Sequence, residues 1–165
     1  MRSVCVATSL AIAFGFSTAW TATQTKEKAV TQKDTIRFIK SDTLPPSPGY
    51  SQAAEIRPGS RIIYIAGQVA MDRSGKLVGE GDLRAQATQT FENLKAALQA
   101  SGASFENVVK LNSYFVDIKQ APVFREVRDQ YVNVANPPVS TAVEVRRLVR
   151  EEWLIEIEAV AVVPE

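Results

Sequence analysis

The chain has 165 residues, 45% hydrophobic and 22% charged, with 19 Lys+Arg against 18 Asp+Glu. That balance suits one globular domain, excludes a disordered chain or a fibre, and leaves no excess charge to draw the protein onto nucleic acid or an anionic membrane. With no His in the sequence, Ser-His-Asp and Cys-His nucleophile pairs and His-ligated metals are excluded. Chemistry must rest on carboxylates, Arg, Lys, Tyr, Ser, backbone groups or water.

The amino-terminal stretch reads as a separate object. Arg2 precedes an apolar run from Val4 to Phe16, and small residues follow at Ser17-Thr18-Ala19 and Thr21-Ala22. This order predicts a secretory signal peptide over residues 1–22, cleaved after Ala19 or Ala22, and an exported, periplasmic product. The run is shorter than the ~20 residues of a spanning helix, so no stable membrane insertion is expected after cleavage; an uncleaved anchor is the alternative. Arg2 and Cys5 are the only charge and the only Cys affected, so the mature chain has 18 basic and 18 acidic residues and no thiol. Disulfides and thiolate chemistry are then excluded.

Residues 23–34 are polar and unpatterned, a linker to a domain over residues 35–165. Thr35–Lys40 alternates as a strand does. Pro45-Pro46-Ser47-Pro48-Gly49 is a loop that delivers Tyr50. Ser51–Ile56 and Arg61–Val69 read as strands, and Arg57-Pro58-Gly59-Ser60 between them gives a hairpin signal. Asp72–Gly75 is a turn. From Asp82, a plausible N-cap, Leu83, Ala87, Phe91, Leu94 and Leu98 recur at helical spacing, and Gly102 fits the stop. Val108–Val116 alternates again. Ala121 to about Val134 reads as a second helix with Pro122 in its first turn. Thr141–Arg146 and Trp153–Val163 are two more strands. The order β-β-β-α-β-α-β-β predicts an α+β fold, one sheet with two helices on one face. The other face needs a cover, and self-association is the simplest one.

Few residues stand out as chemistry. Glu156 and Glu158 share an otherwise apolar strand face, where an unpaired carboxylate is expensive. An edge strand, or ion pairs with an Arg such as Arg146, would also account for them, and Glu144 is open to the same readings. Tyr50 either lines a pocket or plugs the core. Gly67 within a strand suggests a bulge or a close backbone approach. Arg125 has Arg128 and Asp129 at i+3 and i+4, the spacing of ordinary surface pairs.

The motifs Tyr50-Ser51-Gln52-Ala53, Ile65-Ala66-Gly67-Gln68, Asn136-Pro137-Pro138-Val139-Ser140-Thr141 and Glu156-Ile157-Glu158-Ala159, with the run TFENLKAALQASGASFENVVKLNSYFVD, closely resemble the reactive intermediate deaminase (Rid, YjgF-like) family over about Thr35 to Pro164. The resemblance implies a chorismate-mutase-like fold and a homotrimer with small-molecule clefts between subunits. It also implies hydrolysis of 2-imino or enamine acids to 2-keto acids and ammonia, with no metal or organic cofactor. By the same resemblance Tyr50 and Glu156 are the catalytic positions, Glu156 orienting the attacking water, and Gly67, Arg125, Val139 and Ser140 are the substrate-binding ones. Three positions depart from the pattern. Val139 stands where the family has a carboxylate-binding Arg, Arg125 where it has Asn, and Ala66 where it has Ser or Thr. A valine cannot hold a carboxylate as an Arg does, so the expectation is a hydrolase of C=N compounds with altered specificity, in which Arg125 supplies the guanidinium. The alternative is a non-catalytic trimeric module that binds a small metabolite. Some members carry older ribonuclease names, but the balanced charge and lack of a basic-aromatic stripe argue against nucleic acid.

Overall fold

The computed structural model describes residues 35–47 and 49–165. The signal peptide and linker expected over residues 1–34 lie outside the described residues. Among the described residues, six strands and two α-helices follow in the order β1 Ile36–Ile39, β2 Ala53–Ile56, β3 Ser60–Gln68, α1 Leu83–Ala100, β4 Val108–Phe115, α2 Ala121–Arg128, β5 Val139–Glu144 and β6 Ile155–Pro164.

The main sheet has four strands in the order β3-β6-β4-β5. β6 runs antiparallel to both of its neighbours, and β5 joins β4 in parallel through a crossover that contains α2. Strand alternation gives the sheet two unlike faces. Ile155, Ile157, Ala159 and Ala161 of β6 point to one face, where they pack with Leu83, Ala87, Phe91, Leu94 and Leu98 of α1. Phe91 stacks on Tyr131 with ring centroids 4.8 Å apart, and Phe115 meets Phe124 of α2 edge-on at 5.1 Å. This is the core, and it makes the domain the α+β class with both helices on one face of the sheet.

The helix ends are set locally. The Asp82 carboxylate accepts a hydrogen bond from the Ala85 N–H at 3.2 Å, satisfying one of the free donors of the first turn. At the other end Gly102 adopts φ +72°, and the N–H groups of Gly102 and Ala103 donate to the Gln99 and Leu98 carbonyls. That pair of bonds needs a left-handed residue after the helix, which glycine supplies without a Cβ clash.

Four expectations need correction. The runs Ser51–Ile56 and Arg61–Val69 do not form a hairpin: β2 pairs with β1, in a separate two-stranded sheet, while β3 pairs with β6. The sheet is therefore not a single one. The Arg57–Ser60 turn carries the chain from the small sheet to the large one, and the Arg57 N–H donates to the Thr35 carbonyl. α2 ends at Arg128 rather than near Val134, because the Tyr131 and Val132 N–H groups both close on the Arg128 carbonyl and the Asn133 side chain then caps Ala135 and Asn136. β5 begins at Val139, directly after Pro137-Pro138, because its parallel register with β4 starts at Lys110 opposite Val139.

The second sheet face is partly covered within the chain. The β1–β2 pair packs Ile36, Phe38 and Ala54 against Val109, Val160 and Val162. Beyond that patch the face is open, with Ile62 46% and Tyr64 79% exposed. It is on this open part that the charged residues lie.

Candidate functional site

β6 is flanked on both sides, so the edge-strand account of its two glutamates does not apply. Cross-strand register places Asn112 opposite Glu158 and Tyr114 opposite Glu156. The Glu158 carboxylate accepts from the Asn112 amide at 2.5 Å and from the Tyr114 hydroxyl at 3.1 Å. These are two neutral donors and no Arg. The Tyr114 phenol is accordingly held above its ordinary range, first by desolvation and then by its bond to Glu158.

Glu156 has a different environment. It is half-buried, and its carboxyl is pushed above the ordinary value, first by desolvation and then by the charge of Glu158. Glu156 thus holds a proton more readily than an exposed glutamate. A carboxylate of raised basicity is the kind of group that can take a proton from a water molecule.

The β3 strand explains how Glu156 fits. Ile65 is opposite Ala159 and Gln68 is opposite Ile157, so β3 carries one extra residue in the Ala66-Gly67 stretch. This is the bulge that a glycine within a strand suggested. The glycine is required by space rather than by φ: a Cβ on Gly67 would lie 2.0 Å from Oε1 of Glu156 and 2.8 Å from its Cδ. Gly67→Ala is expected to keep the fold, since the obstructing group is a side-chain end, but to displace the Glu156 carboxylate. Turnover should fall on the order of 10²-fold, the effect of an ångström-scale misplacement. Activity and melting temperature measured together check this, and an active Gly67→Ala protein would show that the placement of Glu156 is unimportant.

A cavity of about 640 Å³ opens over these groups, lined by Tyr114, Arg147, Leu148, Val149, Glu156 and Glu158. A neighbouring groove of about 490 Å³ shares Glu158 with Tyr64, Ala66 and Lys110. A third cleft of about 630 Å³ lies between the β1–β2 pair and the body. Its arginines, Arg37 and Arg57, are exposed, and Arg37 is occupied by Glu55 at 2.6 Å. The cavity at Glu156 is therefore the candidate site.

The other expected site residues fall elsewhere in one chain. Tyr50 is half-buried at the far end of β5: the Ser51 hydroxyl donates to the Pro137 carbonyl at 2.5 Å, its N–H to Pro138, and Ser51 bridges Val139. Val139 pairs with Lys110 and so shares the open face, whereas Ser140 pairs with Leu111 and shares the helix side. The Tyr50 end lies four residues along β4 from Tyr114 and Glu156, about 13 Å at strand spacing. Gly67 and Glu156 are brought together; Tyr50, Val139 and Ser140 form a second group.

Arg125 belongs to neither group. It is exposed on α2, the helix side of the sheet, and Glu158 is the one charge that bears on the Glu156 carboxyl. The buried arginine of α2 is Arg128, paired with Asp129 at 2.7 Å and packed against Gly49 beside Tyr50. Glu144 accepts from the Ile118 N–H at 3.0 Å and so caps the turn before α2. Sequence reasoning missed Arg147. It carries no pattern signal, and only the path of the chain after β5 brings it to the cavity that Glu156 also lines. Among the described residues no three His, Cys, Asp or Glu side chains gather as a metal would need, and no helix is long and apolar enough to cross a membrane.

These features define an α+β domain with two helices on one sheet face and a carboxylate pair beneath a cavity on the other. The family model described as Endoribonuclease L-PSP matches residues 41–163, and the chain belongs to that family, the Rid or YjgF-like proteins. A RutC family protein of Synechocystis is 35% identical over 132 residues, covering 79% of this chain and 98% of that one. The human 2-iminobutanoate/2-iminopropanoate deaminase is 36% identical, over 76% of this chain and 89% of its own length. Among solved structures, a protein of unknown function of the Rid family from Yersinia pestis aligns with a TM-score of 0.66 at 36% identity, covering 77% of this chain and 98% of that one. A Thermotoga maritima protein titled a putative endoribonuclease aligns with a TM-score of 0.59 at 33% identity, over 78% of this chain and 98% of that chain.

Proposed function

We propose that this protein hydrolyses imines, enamines or related small C=N compounds. The observation that carries the reading is Glu156, a half-buried carboxyl of raised basicity held in the space left by Gly67 and open to a cavity. In the step we envisage, Glu156 takes a proton from water as the oxygen bonds to the C=N carbon. The proton then passes to nitrogen and gives a carbinolamine. Its hydroxyl proton follows to nitrogen by the same carboxylate as the C–N bond breaks, and a carbonyl and ammonia leave. No cofactor enters this scheme. The similarity to a human deaminase acting on 2-imino acids supports the reaction class. Val139, an apolar residue on the open face, supports a specificity different from one in which an Arg at that place holds a carboxylate.

The working form in this proposal is a homotrimer. Two facts support it: the exposed Ile62 and Tyr64 on the open sheet face, and the separation of the Tyr50 group from Glu156 within one chain, which a neighbouring subunit would close. Light scattering should give three times the mass of a single mature chain; a monomer would remove the shared cleft. We further propose export, with residues 1–19 or 1–22 removed. Intact-mass measurement of the natively produced protein checks this, and retention of Arg2 refutes it.

The test of function is a panel of imines, each formed in situ by an oxidase, with ammonia and carbonyl release followed on the mature protein. Faster breakdown of any member than in buffer, lost in Glu156→Gln, supports the hydrolase. Specific binding of a panel product with no acceleration would leave the non-catalytic module.

A further inference from the structure

The last residue of the Ile65-Ala66-Gly67-Gln68 motif takes no part in the proposed hydrolysis. Gln68 ends β3 and is half-buried. Its side-chain amide turns back along its own strand: Nε2 donates to the Ala66 carbonyl at 3.1 Å and to the Gly67 carbonyl at 3.3 Å. Those are the two residues of the bulge, between Ile65 opposite Ala159 and Gln68 opposite Ile157. A bulge interrupts the ladder, so the neighbouring strand holds its backbone less firmly than it holds the rest of β3. The chain beyond the bulge is fixed from elsewhere. The Asn93 amide of α1 donates to the Val69 carbonyl at 2.9 Å and to the Met71 carbonyl at 2.8 Å, and the Gln89 amide donates to the Asn93 oxygen at 2.9 Å. Between the paired Ile65 and the anchored Val69, the side chain that ties the bulge is that of Gln68. What rests on the bulge is Glu156. Its Oε1, Cδ and Cγ lie 2.0, 2.8 and 3.0 Å from the point where a Gly67 Cβ would be, so a small shift of the Gly67 backbone moves the seat of that carboxyl.

We propose that Gln68 is a positioning residue for Glu156: its amide clamps the Ala66-Gly67 bulge and so fixes where the Glu156 carboxyl sits. The kinetic side of the inference rests on the reading of Glu156 as the base of the site. A primary amide carries two N–H donors, which matches two carbonyls one residue apart, and no ligand contact by Gln68 is needed. Asn93 and Gln89 hold the corner after the strand, whereas Gln68 holds the bulge itself.

The test pairs kinetics with titration on the full mature protein. Gln68→Met keeps the length of the side chain and removes the donor; Gln68→Ala removes it without adding an apolar chain, and serves if the first variant folds poorly. Against the imine that wild type hydrolyses fastest, either variant should lower kcat by about 10- to 100-fold and leave KM within about twofold, the pattern of a misplaced group rather than of lost binding. In a Glu156→Gln background the same change should cost less than about twofold, because a residue that acts through Glu156 then has nothing left to place. NMR titration of the Glu156 side-chain carboxyl carbon reads the placement without turnover. In wild type, desolvation and Glu158 hold this group above 4.5. The Gln68 variants leave Glu158, Tyr114 and Arg147 of the cavity and Lys110 of the neighbouring groove in place, and the titration should fall back toward that value. The proposal is overturned if Glu156 titrates as in wild type in both variants, or if the loss of turnover is as large without Glu156 as with it. A shifted titration in a protein that hydrolyses no imine leaves the positioning role standing and removes the hydrolase. Hydrolysis at the wild-type rate in both variants does the reverse.

Discussion

Replacing Glu156 with Gln is expected to lower turnover by about 10²- to 10⁴-fold, the usual worth of a positioned acid–base group, and to leave the protein at least as stable at pH 7. The second half of this expectation follows from the direction of the pKa shift. Desolvation and Glu158 raise the Glu156 carboxyl above its ordinary value of 4.5. A carboxyl that binds its proton more tightly when folded contributes stability in the protonated form. That contribution is full below 4.5 and is lost as pH rises through the folded-state value. At neutral pH wild type therefore keeps a charge that the fold disfavours, and an uncharged Gln of the same shape removes it. Melting temperatures of both proteins at pH 4 and pH 7 check the sign: the variant should gain relative to wild type as pH rises. A marked loss of stability in Glu156→Gln at pH 7 would make Glu156 a structural acceptor instead.

Gln86→Leu should have the largest effect on stability. The Gln86 amide donates to the carbonyls of Gly79 and Glu152 and accepts from the Leu154 N–H at 2.8 Å. A leucine fits the volume but leaves the Glu152 carbonyl and the Leu154 N–H without these bonds, while the Gly79 carbonyl keeps the Asp82 N–H. At about 1–3 kcal/mol for each buried polar group left unpaired, the loss is on the order of 3–5 kcal/mol, a large share of a domain's usual 5–15 kcal/mol. The melting temperature should fall by roughly 10 °C or more. A fall of less than about 3 °C would mean that the segment before β6 repacks without its anchor.

The elements that sequence made legible are those whose signal is local. α1 announces itself through the spacing of Leu83, Ala87, Phe91, Leu94 and Leu98 and through Asp82 and Gly102 at its ends, and the structure has each of these in the expected role. The alternation of β6 separates Ile155 and Ile157 from Glu156 and Glu158 without reference to any other strand. The pairing of β2 was not legible, because Arg57–Ser60 makes a turn whether the chain doubles back or changes sheet. The bulge was half legible: Gly67 marked the place, but only the register against Ala159 and Ile157 shows the extra residue. Arg125 and Arg147 differ in a way no pattern shows, since each is an exposed arginine and the fold alone decides that Arg147, not Arg125, lines the cavity that Glu156 also lines.

The strand order β3-β6-β4-β5 also bears on how the fold is acquired. β3 is complete at Gln68, yet its hydrogen-bonding partner is residues 155–164. Both helices and two further strands are made before that partner arrives. During synthesis β3 must remain as an unpaired apolar segment, Ile62-Ile63-Tyr64-Ile65, because none of the described residues before it pairs with it in the finished sheet. Pairings so distant in sequence close slowly, and an exposed strand of this kind invites association with other chains while it waits. The interval between making β3 and inserting β6 is thus the period in which a nascent chain depends most on a chaperone, and a shorter one would not be available to any chain with this strand order.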